Sequence, residues 1–379
     1  MTQAPATSRR GELDALRSLV VVGLVFFHAA LVFDARDDFY VKNDTTTEAT
    51  TILAGLGVVW AMPLLFVVAG IGAWHSLRKR SPGGFAAERL LRLGVPLVFA
   101  TLTIVPVPQY LRLRADPAYD EAYPRFLLRF FDVRLSPGDV PFVVQGELFE
   151  TGHLWFIVLL LTFSLVLAAA VRWAPAVHPP PPSLWTLAAL AVPVAVICAA
   201  VGLEEGLGAW SRWAYLLFFL YGFLLASDDA YRPLIRRTAP WTAGLGALFF
   251  LAGAPAFLSS DDPFTEMSPL PIGARALFGL AGWCCVLAIL GFLDRPRSAS
   301  GGTRPRKPAY LATASLPLYV LHQPIVVAVA FTVVRWELPA PLKYLIIVVV
   351  SLGVLVAAYD LLVRRTRVTR LLFGMRGKP

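Results

Sequence analysis

Residues 12–33 read E-L-D-A-L-R-S-L-V-V-V-G-L-V-F-F-H-A-A-L-V-F, an apolar stretch with an arginine near its start and a histidine inside. Arg17 and His28 are eleven positions apart, about 20° past three turns of an α-helix, so both lie on one face about 16 Å apart along the axis. Asp14 joins that face three residues before Arg17. If the run from Leu16 to Phe33 crosses a bilayer, Arg17 sits at one interface and His28 lies well inside the hydrocarbon layer. An ionisable side chain at that depth is costly unless it faces a polar interior, which marks it as functional. The plainer alternative is that His28 only donates a hydrogen bond to a neighbouring helix.

The rest of the chain has the same character. Of 379 residues, 57% are hydrophobic and 16% charged, with a mean hydropathy of +0.65. That exceeds what a soluble core needs. The apolar residues fall in blocks of bilayer-crossing length, at 16–33, 53–75, 91–111, 153–173, 184–203, 210–227, 240–258, 273–293, 309–332 and 341–363. These blocks predict an all-α, polytopic bundle of about ten spans forming a single domain over 1–379. Cys198, Cys284 and Cys285 all lie inside apolar blocks and read as packing residues, with neither a disulfide framework nor a metal site. The short polar start M-T-Q-A-P-A-T-S-R-R has no cleavage site after it, so the first block reads as a retained span.

With ten spans both termini share one side. Arg78, Lys79, Arg80, Arg89, Arg92, Arg172, Arg232, Arg236, Arg237 and Arg364 to Arg370 fall on it, and the positive-inside rule makes it cytoplasmic. The opposite loops hold acidic runs such as Asp34, Asp37, Asp38 and Asp44, then Glu204 and Glu205. The net charge of +9 therefore reports topology and argues against a nucleic-acid surface.

Three connecting segments stand out. Ser81 to Gly84 (S-P-G-G) reads as a turn, followed by a helix from Phe85 to Arg92 in which Arg89 and Arg92, at i and i+3, share a face. Residues 112–152 form the longest stretch outside the spans and carry Glu147 and Glu150; a loop that long is either functional or disordered. The Gly/Pro/Arg/Ser-rich segment 295–308 reads as a flexible linker, and Pro179 to Pro182 as a stiff connector. No repeat, phosphate-binding glycine loop, G-x-S-x-G elbow or Cys/His metal spacing is present.

Among the remaining histidines, His75 and His178 lie at span ends and read as interfacial. His153, in T-G-H-L-W-F three residues after Glu150, opens a span beside Trp155 and reads either as an interfacial anchor or as part of a site. His322, in S-L-P-L-Y-V-L-H-Q-P, lies inside a span with Tyr319 one turn earlier and Pro324 just after it. Two guanidiniums held by a helix at a membrane surface, Arg89 and Arg92, suit phosphate groups.

Together these pieces resemble the integral-membrane acyltransferase family 3, whose members O-acylate cell-surface carbohydrates. Leu13 to Ala29 looks like its first-helix signature. Met62 to Gly70 (M-P-L-L-F-V-V-A-G) is similar to its second-helix pattern, with Ala69 where serine often stands. R-L-L-R (89–92) is similar to its R-x-x-R, and G-H-L-W-F (152–156) and L-Y-V-L-H-Q-P (318–324) to later signatures. The likeness covers nearly the whole chain and is nearest to the branch of glucan biosynthesis protein C, which succinylates periplasmic glucans. Many members carry a further soluble domain; here such a partner is expected to be a separate protein.

The resemblance implies a multi-pass enzyme of the cell membrane that moves an acetyl or succinyl group from acyl-CoA, a co-substrate, with no bound cofactor, to a hydroxyl of a cell-envelope glycan or glycolipid. Arg89 and Arg92, helped by Arg78 and Lys79, would meet the CoA phosphates. His28 would act as general base, with Arg17 holding pantetheine or phosphate, or pairing with Asp14. His322 would relay protons or place the acceptor, and His153, Glu150 and Tyr319 would bind it. From the residues alone a proton-coupled transporter or flippase is the rival reading, and a scaffold of a glycan-synthesis complex a third.

Overall fold

A computed structural model describes residues 11–173, 179–260, 262–294 and 308–375. The N-terminal arginines, His178, Asp261, the linker of 295–307 and the last four residues lie outside the described residues. Helix α1 (Gly11–Leu31) is the opening stretch. The second apolar block holds α2 (Glu48–Val58) and α3 (Ala61–Leu77). Next, α4 (Pro82–Arg89) runs through a π-helical turn at Leu90–Gly94 into α5 (Val95–Thr103) and α6 (Pro106–Arg114). The long connecting segment folds as α7 (Tyr123–Phe130) and an antiparallel hairpin of β1 (Val133–Leu135) with β2 (Val144–Gly146). Then follow α8 (Trp155–Trp173), α9 (Leu184–Val201), α10 (Arg212–Leu225), α11 (Tyr231–Ser259), α12 (Pro269–Leu293), α13 (Pro308–Val333), α14 (Ala340–Ala358) and α15 (Arg367–Leu372).

Among the described residues nine helical stretches are long and apolar enough to cross a membrane. The protein is an all-α, multi-pass membrane bundle. The expected span at 210–227 differs: α10 has 14 residues, a rise of about 21 Å against a hydrocarbon core of about 30 Å. It nevertheless joins the two ends. Arg212 at its start grips Glu204 and donates to the Val140 carbonyl at 3.0 Å, whereas Leu225 at its finish lines one pocket with Glu12, Leu16 and Asp294. Half of α10 is buried among other helices and only Trp213 and Leu220 are exposed, so its length is set by packing rather than by lipid.

Small residues fix that packing. A Cβ on Gly70 of α3 would stand 1.9 Å from the Phe219 carbonyl oxygen, and one on Gly222 of α10 would stand 2.0 Å from that of Val67. The two backbones touch only because both side chains are absent. Elsewhere the fully buried Arg275 of α12 donates to the carbonyls of Cys198 and Ala199, each at 3.2 Å, and of Glu266 at 2.8 Å. It thereby satisfies the end of α9, whose last carbonyls have no partner within the helix. Cys198, Cys284 and Cys285 are free thiols packed inside the bundle.

Two local expectations change. S-P-G-G is not a free turn but the start of α4: the Ser81 hydroxyl accepts from the Gly84 amide at 3.2 Å, with Pro82 in the first turn, where a missing N–H costs nothing. The R-L-L-R pair does not share an ordinary α-helical face, since Leu90–Gly94 is π-helical.

Candidate active site

Helix α1 and helix α13 run side by side. The Ser18 and Ser315 hydroxyls meet at 3.0 Å near the end of the bundle that carries the arginines, hereafter the basic end. Further along the same pair, the rings of His28 and His322 lie 5.0 Å apart between centroids. His153 enters from the start of α8, its ring 5.0 Å from His322 on the other side. First, middle and late segments of the chain thus bring three imidazoles into one row, His28, His322 and His153. His28 lies one turn before the end of α1, closer to the helix end than expected. It is enclosed because the loop of 32–47 folds over it. Phe39 stacks on its ring at 5.7 Å. Lys42 holds the loop down by donating to the Leu31 and Asp37 carbonyls, each at 2.8 Å, a cation placed where the helix dipole favours one.

The sequence L-Y-V-L-H-Q-P explains how the row is fixed. Pro324 has no N–H, so the carbonyl of Val320, four residues earlier, has no helical partner. His153 Nε2 donates to that carbonyl at 2.9 Å. His322 Nδ1 donates to the Tyr319 carbonyl at 2.5 Å. Because a carbonyl only accepts, each of these nitrogens carries the proton, and the other nitrogen of each neutral ring presents a lone pair. The Tyr319 hydroxyl donates to the His153 carbonyl. Tyr319, expected to bind substrate, is buried and uses its hydroxyl to position His153.

Polar groups from three elements adjoin the row. The Tyr40 hydroxyl donates to Glu150 Oε1 and is also hydrogen-bonded to Gln323, the neighbour of His322. Gly152, at φ +49°, lets the chain turn between Glu150 and His153; the Tyr40 hydroxyl lies 3.4 Å from where its Cβ would be. Burial raises the Glu150 carboxyl above its ordinary value, against the opposing pull of the Tyr40 hydrogen bond and of Arg112 on α6. Burial and the adjacent Glu150 hold the Tyr40 phenol protonated well beyond its usual range.

The basic end holds the second constellation. Arg17 Nη2 donates to the Val68 carbonyl of α3 at 2.9 Å and Nη1 lies 3.4 Å from Asp14. Arg89 places its guanidinium over the Phe85 ring at 4.9 Å, within electrostatic reach of Arg17, Arg80 and Arg92. Its Nε is buried without a hydrogen-bond partner among the described residues. Glu88 stands in the same group, 2.5 Å from Arg80 and 3.8 Å from Arg92. Arg78 and Lys79 do not join them: both are exposed, and Arg78 rests on Trp74 at 5.9 Å. Among the described residues no group of three or more His, Cys, Asp or Glu side chains is arranged to hold a metal ion.

An arginine group lies at one end of the bundle and a histidine row toward the other, both touching α1. The family model of the acyltransferase domain, type 3, covers residues 10–360. The chain belongs to acyltransferase family 3. It is therefore a membrane acyltransferase, and the transporter and scaffold readings give way to an enzyme. No curated protein and no solved structure matches the chain.

Of the site residues expected for this acyltransferase, the structure joins His28, His322, His153, Glu150 and Tyr319 in one region and Arg17, Arg89 and Arg92 in another. Tyr40, Phe39 and Gln323 were missed. Gln323 stood in plain view beside His322. Tyr40 lies in an irregular loop, where no periodicity says which way a side chain turns.

Proposed function

We propose that this acyltransferase moves an acyl group, acetyl or succinyl, from acyl-CoA to a hydroxyl of a cell-envelope glycan or glycolipid, working in the cell membrane with its basic end and both termini in the cytoplasm. The observation that carries the proposal is the spacing along α1. Arg17, grouped with Arg89 and Arg92, and His28, grouped with His322 and His153, share one helix face about 16 Å apart. Guanidiniums bind phosphate by charge-assisted, bidentate hydrogen bonds, and a nucleotide held there leaves its flexible arm to run along α1 toward the imidazoles. The histidines take the hydroxyl proton as oxygen attacks the thioester carbon; the thiolate that leaves collects a proton and departs as free CoA. Glu150 and His153, with Tyr40 and Gln323 beside them, offer hydrogen-bonding groups to a polyol arriving from the opposite side. Arg78 and Lys79 add surface charge for the nucleotide. A glucan acceptor with a succinyl donor, as in the branch the sequence is nearest to, is the specific form of this reading.

The test is binding of acetyl-CoA and succinyl-CoA to detergent-purified protein, wild type beside Arg89→Ala with Arg92→Ala and beside His28→Ala. The arginine variant is expected to lose binding, and His28→Ala to bind but not transfer. Failure of folded wild-type protein to bind either ester would overturn the donor assignment.

A further inference from the structure

Two ring nitrogens in the histidine row are buried and have no hydrogen-bond partner among the described residues, Nδ1 of His28 and Nε2 of His322. They are not equivalent. His322 has its proton fixed on Nδ1 by the Tyr319 carbonyl, so Nε2 is a standing lone pair, fully enclosed. Its partner carbonyl also steadies the imidazolium that forms when Nε2 takes a proton. No hydrogen bond from the described residues holds either nitrogen of His28. Its ring can present an N–H or a lone pair, and a charge formed on it would be buried without support. His153 has the same locked form through Val320, but its remaining nitrogen is not among the buried unpartnered atoms.

Position along the bundle separates the two rings as well. His28 lies on the α1 face that leads back to Arg17, the side from which a donor thioester arrives. His322 adjoins Gln323, which bonds Tyr40, which bonds Glu150, the side from which an acceptor arrives. We infer that His322 is the general base and that His28 is an N–H donor to the thioester carbonyl oxygen. This assignment rests on the acyl-transfer reading above and moves to His322 the general-base role that the family resemblance implies for His28. In the step, the acceptor O–H gives its proton to His322 Nε2 as the new C–O bond forms. The carbonyl oxygen gathers charge against the His28 N–H, the C–S bond breaks, and the thiolate takes the proton from His322 and leaves as thiol. The titratable groups around His322 are His28 on α1, His153 in the turn that precedes α8 and Tyr319 on its own helix, with Tyr40 and Glu150 one residue further out.

The experiment has two arms. In the first, protein labelled with ¹⁵N-histidine is compared with His322→Gln by solid-state NMR, so that the difference spectrum isolates residue 322. The expected signal is the form protonated on Nδ1; the form protonated on Nε2 would overturn the assignment. In the second, thiol release from acetyl-CoA and succinyl-CoA is followed with glycerol or a glucose oligosaccharide, and then with hydroxylamine, which attacks a thioester without needing a base. His322→Gln is expected to lose about 10²- to 10⁴-fold in kcat with the hydroxyl acceptors, the usual weight of a general base, and to recover with hydroxylamine. His28→Ala is expected to lose about 10²- to 10³-fold, as for a lost oxyanion donor, and not to recover. Recovery of His28→Ala and not of His322→Gln overturns the roles while leaving acyl transfer standing. No thiol release by wild type with any acyl-CoA overturns the acyl-transfer reading and this one together. Thermal unfolding of each variant shows that a loss is not misfolding.

Discussion

The two polar regions of this membrane acyltransferase handle burial in opposite ways. In the histidine row, packed helices supply backbone carbonyls as partners, and the partners are used to fix protons: Val320 for His153, Tyr319 for His322. Among the described residues neither ring is hydrogen-bonded to a carboxylate. In the arginine group, each charge is set against another group of the chain, Arg17 against Asp14 and the Val68 carbonyl, Arg80 and Arg92 against Glu88, and Arg89 against an aromatic face. The imidazoles proposed to exchange protons are aimed by backbone carbonyls; the guanidiniums proposed to hold an anion are left half exposed. Isolated burial would leave the guanidiniums as uncompensated charges, and solvent would blur the tautomers.

That contrast breaks first at the arginines. Arg89→Ala with Arg92→Ala is expected to weaken acyl-CoA binding by about 10²-fold or more, since a charge-assisted hydrogen bond contributes about 1.5–3 kcal/mol. Calorimetric titration measures it, and unfolding temperature should scarcely move.

Pro324→Ala tests the other region. The alanine N–H would compete with His153 for the Val320 carbonyl. Turnover is expected to fall about 10²-fold, the weight of a small misplacement of a reacting group. Stability should hold or rise, because proline inside a helix is unfavourable by about 3 kcal/mol against alanine. Activity and thermal stability moving in opposite directions would be the signature.

A smaller effect concerns Glu150. Its carboxyl has a folded value raised above 4.5, chiefly by burial. A raised acid binds its proton more tightly in the folded state, so its contribution to stability is full below 4.5 and is lost as pH rises through the folded value. Glu150→Gln removes that slope. The unfolding temperature of the variant relative to wild type should therefore climb as pH rises above 4.5 through the folded value; a flat difference would show that Glu150 ionises freely. Least of all, Lys79→Ala should change acyl-CoA affinity by about twofold or less at physiological salt, because its ammonium is exposed and screened.

Much of this was legible from residues alone. Apolar blocks gave nine of the long helices, and charge placement gave the two ends. The i, i+11 spacing placed Arg17 and His28 on one face. The length of α10 was not legible, because hydropathy does not distinguish a helix surrounded by helices from one surrounded by lipid; Gly70 and Gly222, which bring it against α3, look in sequence like any other small residues. Nor was the meeting of His28, His322 and His153, since each helix has several polar faces and periodicity does not say which ones oppose. Pro324 was the strongest unread clue. Its missing N–H frees the carbonyl that receives His153.

The row of imidazoles also bears on biogenesis. It draws on the first helix, on the middle of the chain and on one of the last helices, so no nascent chain can form it before α13 has entered the membrane. Until then His153 lacks Val320 and His28 lacks its neighbour. On the acyl-transfer mechanism proposed above, activity is expected only once α13 has inserted, and a product truncated before α13 is expected to show none.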